Sequence, residues 1–345
     1  MEYRPLGRSG VSVSRLCLGA MMFGAVGNPD HDDAVKIIHR ALDAGINFVD
    51  TADVYSDGES EQIVGKALAD RRRDEVVLAT KVGLPFGGDP NRRGTSRRWI
   101  TRAVEDSLRR LGTDWIDLYQ VHRLDPATDV DETLGVLSDL VRAGKIRAFG
   151  ASGVSGSGIV EARWTAERRG RERFRTEQPP YSMLTRAAEH DVLPTCLRHG
   201  MGVLVFSPLA GGWLSGRYRK GRTVSGPGSA GRAERFPGVY DSANPANAAK
   251  LEAADALGAL ADEAGLTLVQ TAIAFATRHP AVTSAIVGPR TMDHLESYLA
   301  ADGVELSADL LDRIDQIVPP GHTVNVADNM WRTSTQALQP TSLRR

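Results

Sequence analysis

The chain has 345 residues, enough for one large domain or two ordinary ones, and its 41% hydrophobic and 25% charged residues are the balance of a folded globular protein. A formal net charge of −1 sets up no whole-molecule field, so neither nucleic acid nor an anionic membrane is expected as a partner. The arginine clusters at Arg71 to Arg73 and Arg92 to Arg98 read as solvated surface. Two cysteines, Cys17 and Cys196, stand far apart with no CxxC pair, and no apolar run has the form of a signal peptide or a membrane span. A cytoplasmic protein is expected.

The segment Tyr3 to Val13 reads as a hairpin turning at Ser9-Gly10, suited to plugging one end of a barrel. Arg15 to Gly19 reads as a first strand, with Cys17 buried in it. Ala34, Ile37, Ile38, Ala41 and Leu42 then fall on one helical face. Asn47 to Asp50 is a second strand and Glu75 to Thr80 a third. The helix that follows carries Ile100, Val104, Leu108 and Leu111 on one stripe. Trp115 to Val121, Lys145 to Gly150, Phe174 to Glu177, Gly202 to Phe206 and Val282 to Val287 are strands four to eight. Eight strand-helix units without a break in composition predict a (β/α)8 TIM barrel as a single domain over residues 1–345, its core about 3–318 and its tail 319–345. Residues 207 to 246 are rich in Gly, Ser, Pro and Arg, which predicts a long mobile lid after strand seven. Glu189-His190-Asp191 reads as the polar start of a helix, and the tail from Gly321 as polar and irregular.

In such a barrel the chemistry sits at the C-terminal strand ends. Strand two ends in Asp50, with Tyr55 just beyond it. Strand three ends in Lys81, strand four in His122, strand five in Ser152 and strand six in Gln178. Each alone has an ordinary structural reading, but an acid, a cation, an imidazole and a phenol at successive strand ends form a constellation. A free tyrosine titrates near ~10, and an adjacent ammonium is expected to lower that value. Lys81 can supply the ammonium, Asp50 can hold it, and His122 can orient a carbonyl oxygen. The set suits reduction of C=O, with Tyr55 protonating oxygen and a cofactor delivering hydride.

These residues lie in motifs: Asp50-Thr-Ala-Asp-Val-Tyr55, Thr80-Lys81, Ile116-Asp-Leu-Tyr-Gln-Val-His122-Arg, and Lys145-Ile-Arg-Ala-Phe-Gly-Ala-Ser152. Gln178-Pro-Pro-Tyr181-Ser, Ser207-Pro-Leu-Ala-Gly211-Gly and Ile286-Val-Gly-Pro-Arg290 follow in order. Together they resemble the aldo-keto reductase family over about residues 3 to 318, within the branch that includes potassium-channel β subunits and bacterial reductases. The resemblance implies a tetrad of Asp50, Tyr55, Lys81 and His122, and an NADPH cofactor lying across the strand ends. Ser152 and Gln178 would meet the nicotinamide carboxamide, and Phe206 would stack on its ring. Ser207, Pro208, Leu209 and Gly211 would line the pyrophosphate, with Arg217 reaching it from the lid. Gly19 and Met21 would touch the ribose side, and Asp50 would also contact the cofactor. Gly288, Arg290 and His294 would form the far end, Arg290 taking the 2′-phosphate, as a guanidinium at a helix N-terminus suits an anion.

Departures from the family pattern fall at both ends of the cofactor. Ser152-Gly153 stands where Ser-Asn is usual, which shifts the carboxamide onto Gln178. His294 and Ser297-Tyr298 replace the usual adenine contacts. The run Gly150-Ala-Ser-Gly153-Val-Ser-Gly156 has the wrong spacing for a dinucleotide fingerprint, and its glycines read as a tight turn. The eight histidines show no metal-ligand spacing, so no metal is expected. The alternative function is a regulatory subunit that keeps NADPH but turns over little; channel β subunits often carry Asn at the position of His122. The substrate is expected to be a small carbonyl compound, in a pocket built by the loops after strands one to four, the lid and the tail. Met22, Phe23, Phe86 and Trp99 are candidates for its apolar wall. Monomer and homo-oligomer both stay open.

Overall fold

Eight parallel strands close into a barrel in chain order, the last pairing back with the first. They are β3 (Leu16–Gly19), β4 (Phe48–Asp50), β5 (Val77–Val82), β6 (Ile116–Val121), β7 (Ile146–Ser152), β8 (Thr176–Gln178), β9 (Gly202–Val205) and β10 (Ser284–Val287). The structure, a computed structural model, describes residues 1–69, 72–221, 240–241 and 244–329. The predicted (β/α)8 architecture is present, with small shifts of boundary. β7 runs two residues past Gly150, so Ser152 lies inside the strand. β8 begins at Thr176, because Phe174 packs edge-on against Phe149 with 5.5 Å between ring centres. Phe206 lies just beyond β9 and joins the barrel only through a bridge to Pro180.

The N-terminal hairpin pairs β1 (Tyr3–Pro5) with β2 (Ser12–Ser14), Arg4 opposite Val13. Its turn lies against the start of β9, where Arg8 N donates to Gly200 O at 2.9 Å. Side chains alternate along a strand, so every second residue enters the barrel. Leu6 and Val13 of the hairpin close the bottom over inward-facing Cys17, Phe48, Ala79, Leu118 and Leu204, all buried. The Cys17 thiol is pushed well above its ordinary range by burial and is chemically quiet. Further up, the same alternation turns Asp50, Lys81 and Gln120 inward; Lys81 pairs with Gln120 across β5 and β6, while Asp50 pairs with Ala79, two residues before Lys81. Gly150 keeps the wall tight beside them, since a Cβ there would stand 1.9 Å from Thr176 Oγ1.

Helices cover the outside. In α1 (His31–Asp43), Asp30 caps the N-terminus by accepting from Asp32 N and Asp33 N, and Ala34, Ile37, Ile38 and Ala41 are buried. The other helices of the first six units are α2 (Glu59–Leu68), α3 (Arg97–Leu111), α4 (Val130–Arg142), α5 (Gly156–Arg169) and α6 (Val192–His199). In α3, Ile100, Val104, Leu108 and Leu111 face inward as the period predicts. Glu189 does not start α6. It accepts from Tyr181 Oη at 2.7 Å and Arg186 Nε at 2.9 Å, and α6 begins at Val192.

The predicted lid is anchored where it is described. Trp213 is buried, Tyr218 and Tyr240 lie 4.5 and 5.9 Å from its ring, and Tyr240 Oη donates to Gly211 O at 2.7 Å. The rest of the lid expectation, residues 222–239 and 242–243, lies outside the described residues. α7 (Pro245–Glu263), α8 (Leu268–Arg278), α9 (Met292–Leu299) and α10 (Ala308–Ile317) complete the shell. The first part of the tail is also packed: Val324 N donates to Leu184 O, and the buried Lys250 ammonium pairs with Asp328 at 2.8 Å. The tail from residue 330 lies outside the described residues. Among the described residues no helix is long and apolar enough to cross a membrane.

Candidate active site

A polar layer sits directly on the apolar plug of the barrel. The Lys81 ammonium donates to Asp50 Oδ1, to Thr51 O at 2.8 Å and to Tyr55 Oη at 3.2 Å. Asp50 Oδ2 accepts from Gln120 Nε2 at 2.9 Å and from Gln178 Nε2 at 3.1 Å, and Gln178 Nε2 also reaches Gln120 Oε1 at 3.1 Å. The buried ion pair is therefore satisfied on every side the layer offers, the condition under which a low-dielectric interior tolerates charge. His122 stands edge-on to the Tyr55 ring, 5.8 Å between centres. The four residues predicted to converge, Asp50, Tyr55, Lys81 and His122, do so.

Burial sets the protonation states. Desolvation alone would lower the Lys81 ammonium, but Asp50 and Tyr55 raise it above its ordinary value, so it stays charged. His122 is held well below 6.5, first by burial and then by Lys81 and Arg123, so its ring is neutral. No hydrogen-bond partner meets His122 Nδ1 among the described residues, and the neutral ring can carry its hydrogen at Nε2. Tyr55 differs from expectation. Lys81 does pull its phenol down, but burial outweighs the pull, and the net displacement is upward from 10.0. The hydroxyl is thus fully protonated at neutral pH.

Non-glycine residues with left-handed backbone mark the two ends of this surface. Among the described residues they are Ser56 and Asp57, directly after Tyr55, and Ser207 and Ala210, in the turn after β9. Such conformations cost on the order of 1–3 kcal/mol each and persist where the surroundings dictate them. At the second turn Gly211 adds φ +70°, so left-handed backbone recurs between Ser207 and Gly211. Across from it, α9 is capped by Thr291, whose Oγ1 accepts from His294 N at 3.3 Å. Arg217 and Arg290 both act on His294, whose imidazole is lowered by burial first and then by these two cations. Neither guanidinium forms an ion pair among the described residues. The His294 ring stacks at 6.3 Å on Tyr298, whose phenol burial raises to about 12.

Other predicted residues sit apart from these clusters. Gly19 ends β3, where a Cβ would press on Ile286, and Met21 is half-buried just beyond. Gly288 is exposed after β10. Phe23 and Trp99, offered as pocket wall, belong instead to the core between barrel and helices. Phe86 lies 6.5 Å from Trp99, with the Arg92 guanidinium over both rings. Two site residues escaped the sequence reading. Gln120 could have been found by parity, two residues above inward-facing Leu118. Arg123 gave no such signal, since it lies past the strand end, where alternation stops.

The barrel thus carries a carboxylate, an ammonium, a phenol and a neutral imidazole together at its strand ends. The chain belongs to the aldo/keto reductase family, whose model matches residues 15–319. It is 40% identical over 333 residues to an uncharacterized oxidoreductase of Bacillus subtilis, covering 93% of this chain and 97% of that one. A probable voltage-gated potassium channel subunit beta of Arabidopsis thaliana is 35% identical, covering 92% and 97%. The versiconal hemiacetal acetate reductase of Aspergillus parasiticus is 33% identical, covering 93% and 98%. The protein is thus an oxidoreductase of a family that acts on small carbonyl compounds with a nicotinamide cofactor.

Proposed function

We propose that the chain reduces an aldehyde or ketone to the alcohol using NADPH, with Tyr55 as general acid. The observation that carries this reading is the Lys81 ammonium, which bonds Asp50 on one side and the Tyr55 hydroxyl on the other. When bound, NADPH supplies the hydride that no side chain can. The chain does the rest. The substrate oxygen sits between Tyr55 and His122. His122, being neutral, donates a hydrogen bond without competing for the proton. As charge gathers on that oxygen, Tyr55 releases its proton, and Lys81 stabilises the phenolate left behind. Asp50 keeps Lys81 charged and aimed, and Gln120 and Gln178 keep Asp50 in place.

The residues fit the cofactor at both ends. Ser152 and Gln178 would hold the carboxamide, and half-buried Phe206 would offer its face to the ring. Gly19 and Met21 would lie along the ribose, and Asp50 would also contact the cofactor. Ser207, Pro208, Leu209, Gly211 and Arg217 would cradle the pyrophosphate. Gly288, Arg290 and His294 would receive the adenosine end. Two guanidiniums without acid partners among the described residues, beside a helix N-terminus, match the extra phosphate of NADPH better than the hydroxyl of NADH.

Tyr55→Phe tests the mechanism. Carbonyl reduction should fall about 10³-fold, within the range general acid catalysis supplies, while NADPH affinity stays within about two-fold. Surviving turnover would remove Tyr55 from its role. The likeness to the plant channel subunit supports a second reading, an NADPH-holding regulatory subunit. Tight NADPH binding with no oxidation by any of a panel of aldehydes and ketones would favour it.

A further inference from the structure

Position 153 has no side chain, and a residue from the neighbouring strand end occupies its place. Gly153 follows β7 with φ +68°. A Cβ there would stand 3.1 Å from Nη1 and 3.3 Å from Cζ of Arg123. The guanidinium therefore fills the volume that a side chain at 153 would claim. Its Nη1 donates to His122 O at 2.7 Å and to Ser152 Oγ at 2.9 Å. Ser152 Oγ in turn donates to Gln178 O at 2.9 Å. One cation thus ties the ends of β6, β7 and β8 together, between the Tyr55–His122 side and the Ser152–Gln178 side.

Gln178 cannot fill this place. Its amide nitrogen is committed to Asp50 and Gln120, so it has only its oxygen to offer a ligand. Ser152 spends its hydrogen on Gln178 O and is likewise an acceptor. Both suit the NH₂ of a carboxamide, provided the serine hydroxyl cannot rotate. Arg123 prevents that rotation by donating to it.

We propose that Arg123 is the positioning residue for the nicotinamide carboxamide, locking Ser152 Oγ as an acceptor and standing in for a side chain at 153. The inference rests on the assignment of Ser152 and Gln178 to the nicotinamide. Removing the guanidinium does not strand a charge. Burial pushes the adjacent Glu177 carboxyl up to about 8, so it is already protonated at neutral pH beside the cation.

The test compares two ligands by calorimetric titration: NADPH, and adenosine 2′,5′-bisphosphate, which lacks the nicotinamide. Arg123→Ala should weaken NADPH about ten-fold or more, the scale of a lost charge-assisted hydrogen bond, and leave the bisphosphate within about two-fold. Gly153→Asn alone should also weaken NADPH, because the new side chain meets the guanidinium. Asn accepts a left-handed backbone, so the double variant should bind NADPH better than either single one. If the alanine variant does not fold by circular dichroism, Arg123→Lys, which keeps charge but loses the planar fork, is judged by the same two ligands. Wild-type NADPH affinity in the Arg123 variant, equal weakening of both ligands, or simple addition of the two losses each overturn the role of Arg123 alone. A wild-type protein that binds NADPH no more tightly than the bisphosphate overturns the nicotinamide assignment as well.

Discussion

At the ends of β4 and β5 charge is cancelled inside the protein, whereas past the ends of β9 and β10 it is left over. Lys81 and Asp50 are buried against each other, and Gln120, Gln178 and Thr51 O take up their remaining hydrogen-bonding capacity. Arg217 and Arg290 form no ion pair among the described residues and lie half-buried or exposed. The difference follows from the tasks. A proton donor needs fixed protonation states, which burial and pairing supply. An anion site needs positive charge that the protein has not already neutralised. Tyr181, Arg186 and Glu189 show a third case, an ion pair in which the tyrosine hydroxyl and the guanidinium both donate to the one carboxylate.

Lys81→Met breaks the contrast most deeply. It leaves Asp50 buried without its cation, which should cost about 3–5 kcal/mol of stability and abolish turnover together. Denaturant midpoints and steady-state rates measure the two losses; a stable variant would mean that the pair contributes little to the fold. Arg290→Ala acts at the other end. NADPH affinity should drop about 10- to 100-fold, the scale of charge-assisted hydrogen bonds, with NADH nearly unchanged and thermal stability untouched. Equal losses for the two nucleotides would sink the 2′-phosphate assignment.

The pH profile carries the smallest expected effect. His122 is held well below 6.5 and Tyr55 above 10.0. As pH rises, the Tyr55 proton is lost only past the upper value. As pH falls, His122 charges only past the lower one. Neither His122 nor Tyr55 should therefore place an inflection between pH 6.5 and 10 in the rate of carbonyl reduction. An inflection near 6.5 would show His122 titrating as if in water, and the buried end of the site would then resemble the exposed one.

Much of this was readable before the structure. Short apolar runs gave the eight strands and helical patterning the buried faces of α1 and α3, because burial on one side of a helix requires that period. Asp50, Tyr55, Lys81 and His122 were readable because strand ends in a barrel share one face. Boundaries such as the start of β8 were not, since Phe174 answers to a ring contact with Phe149 rather than to strand pattern. Phe23 and Trp99 look like pocket residues in sequence, where a core aromatic and a wall aromatic are the same letter.

The sequence by itself determined which side chains reach the strand ends, since alternation and strand order are local properties of the chain. Only the tertiary structure decided their states. Desolvation at Tyr55 overrides the attraction of Lys81, and Asp50 restores the charge that burial would take from Lys81. Arg123 fills the space over Gly153 from a strand away. Solvent exclusion and close approach between distant segments are set by packing, and no pattern within one segment encodes them.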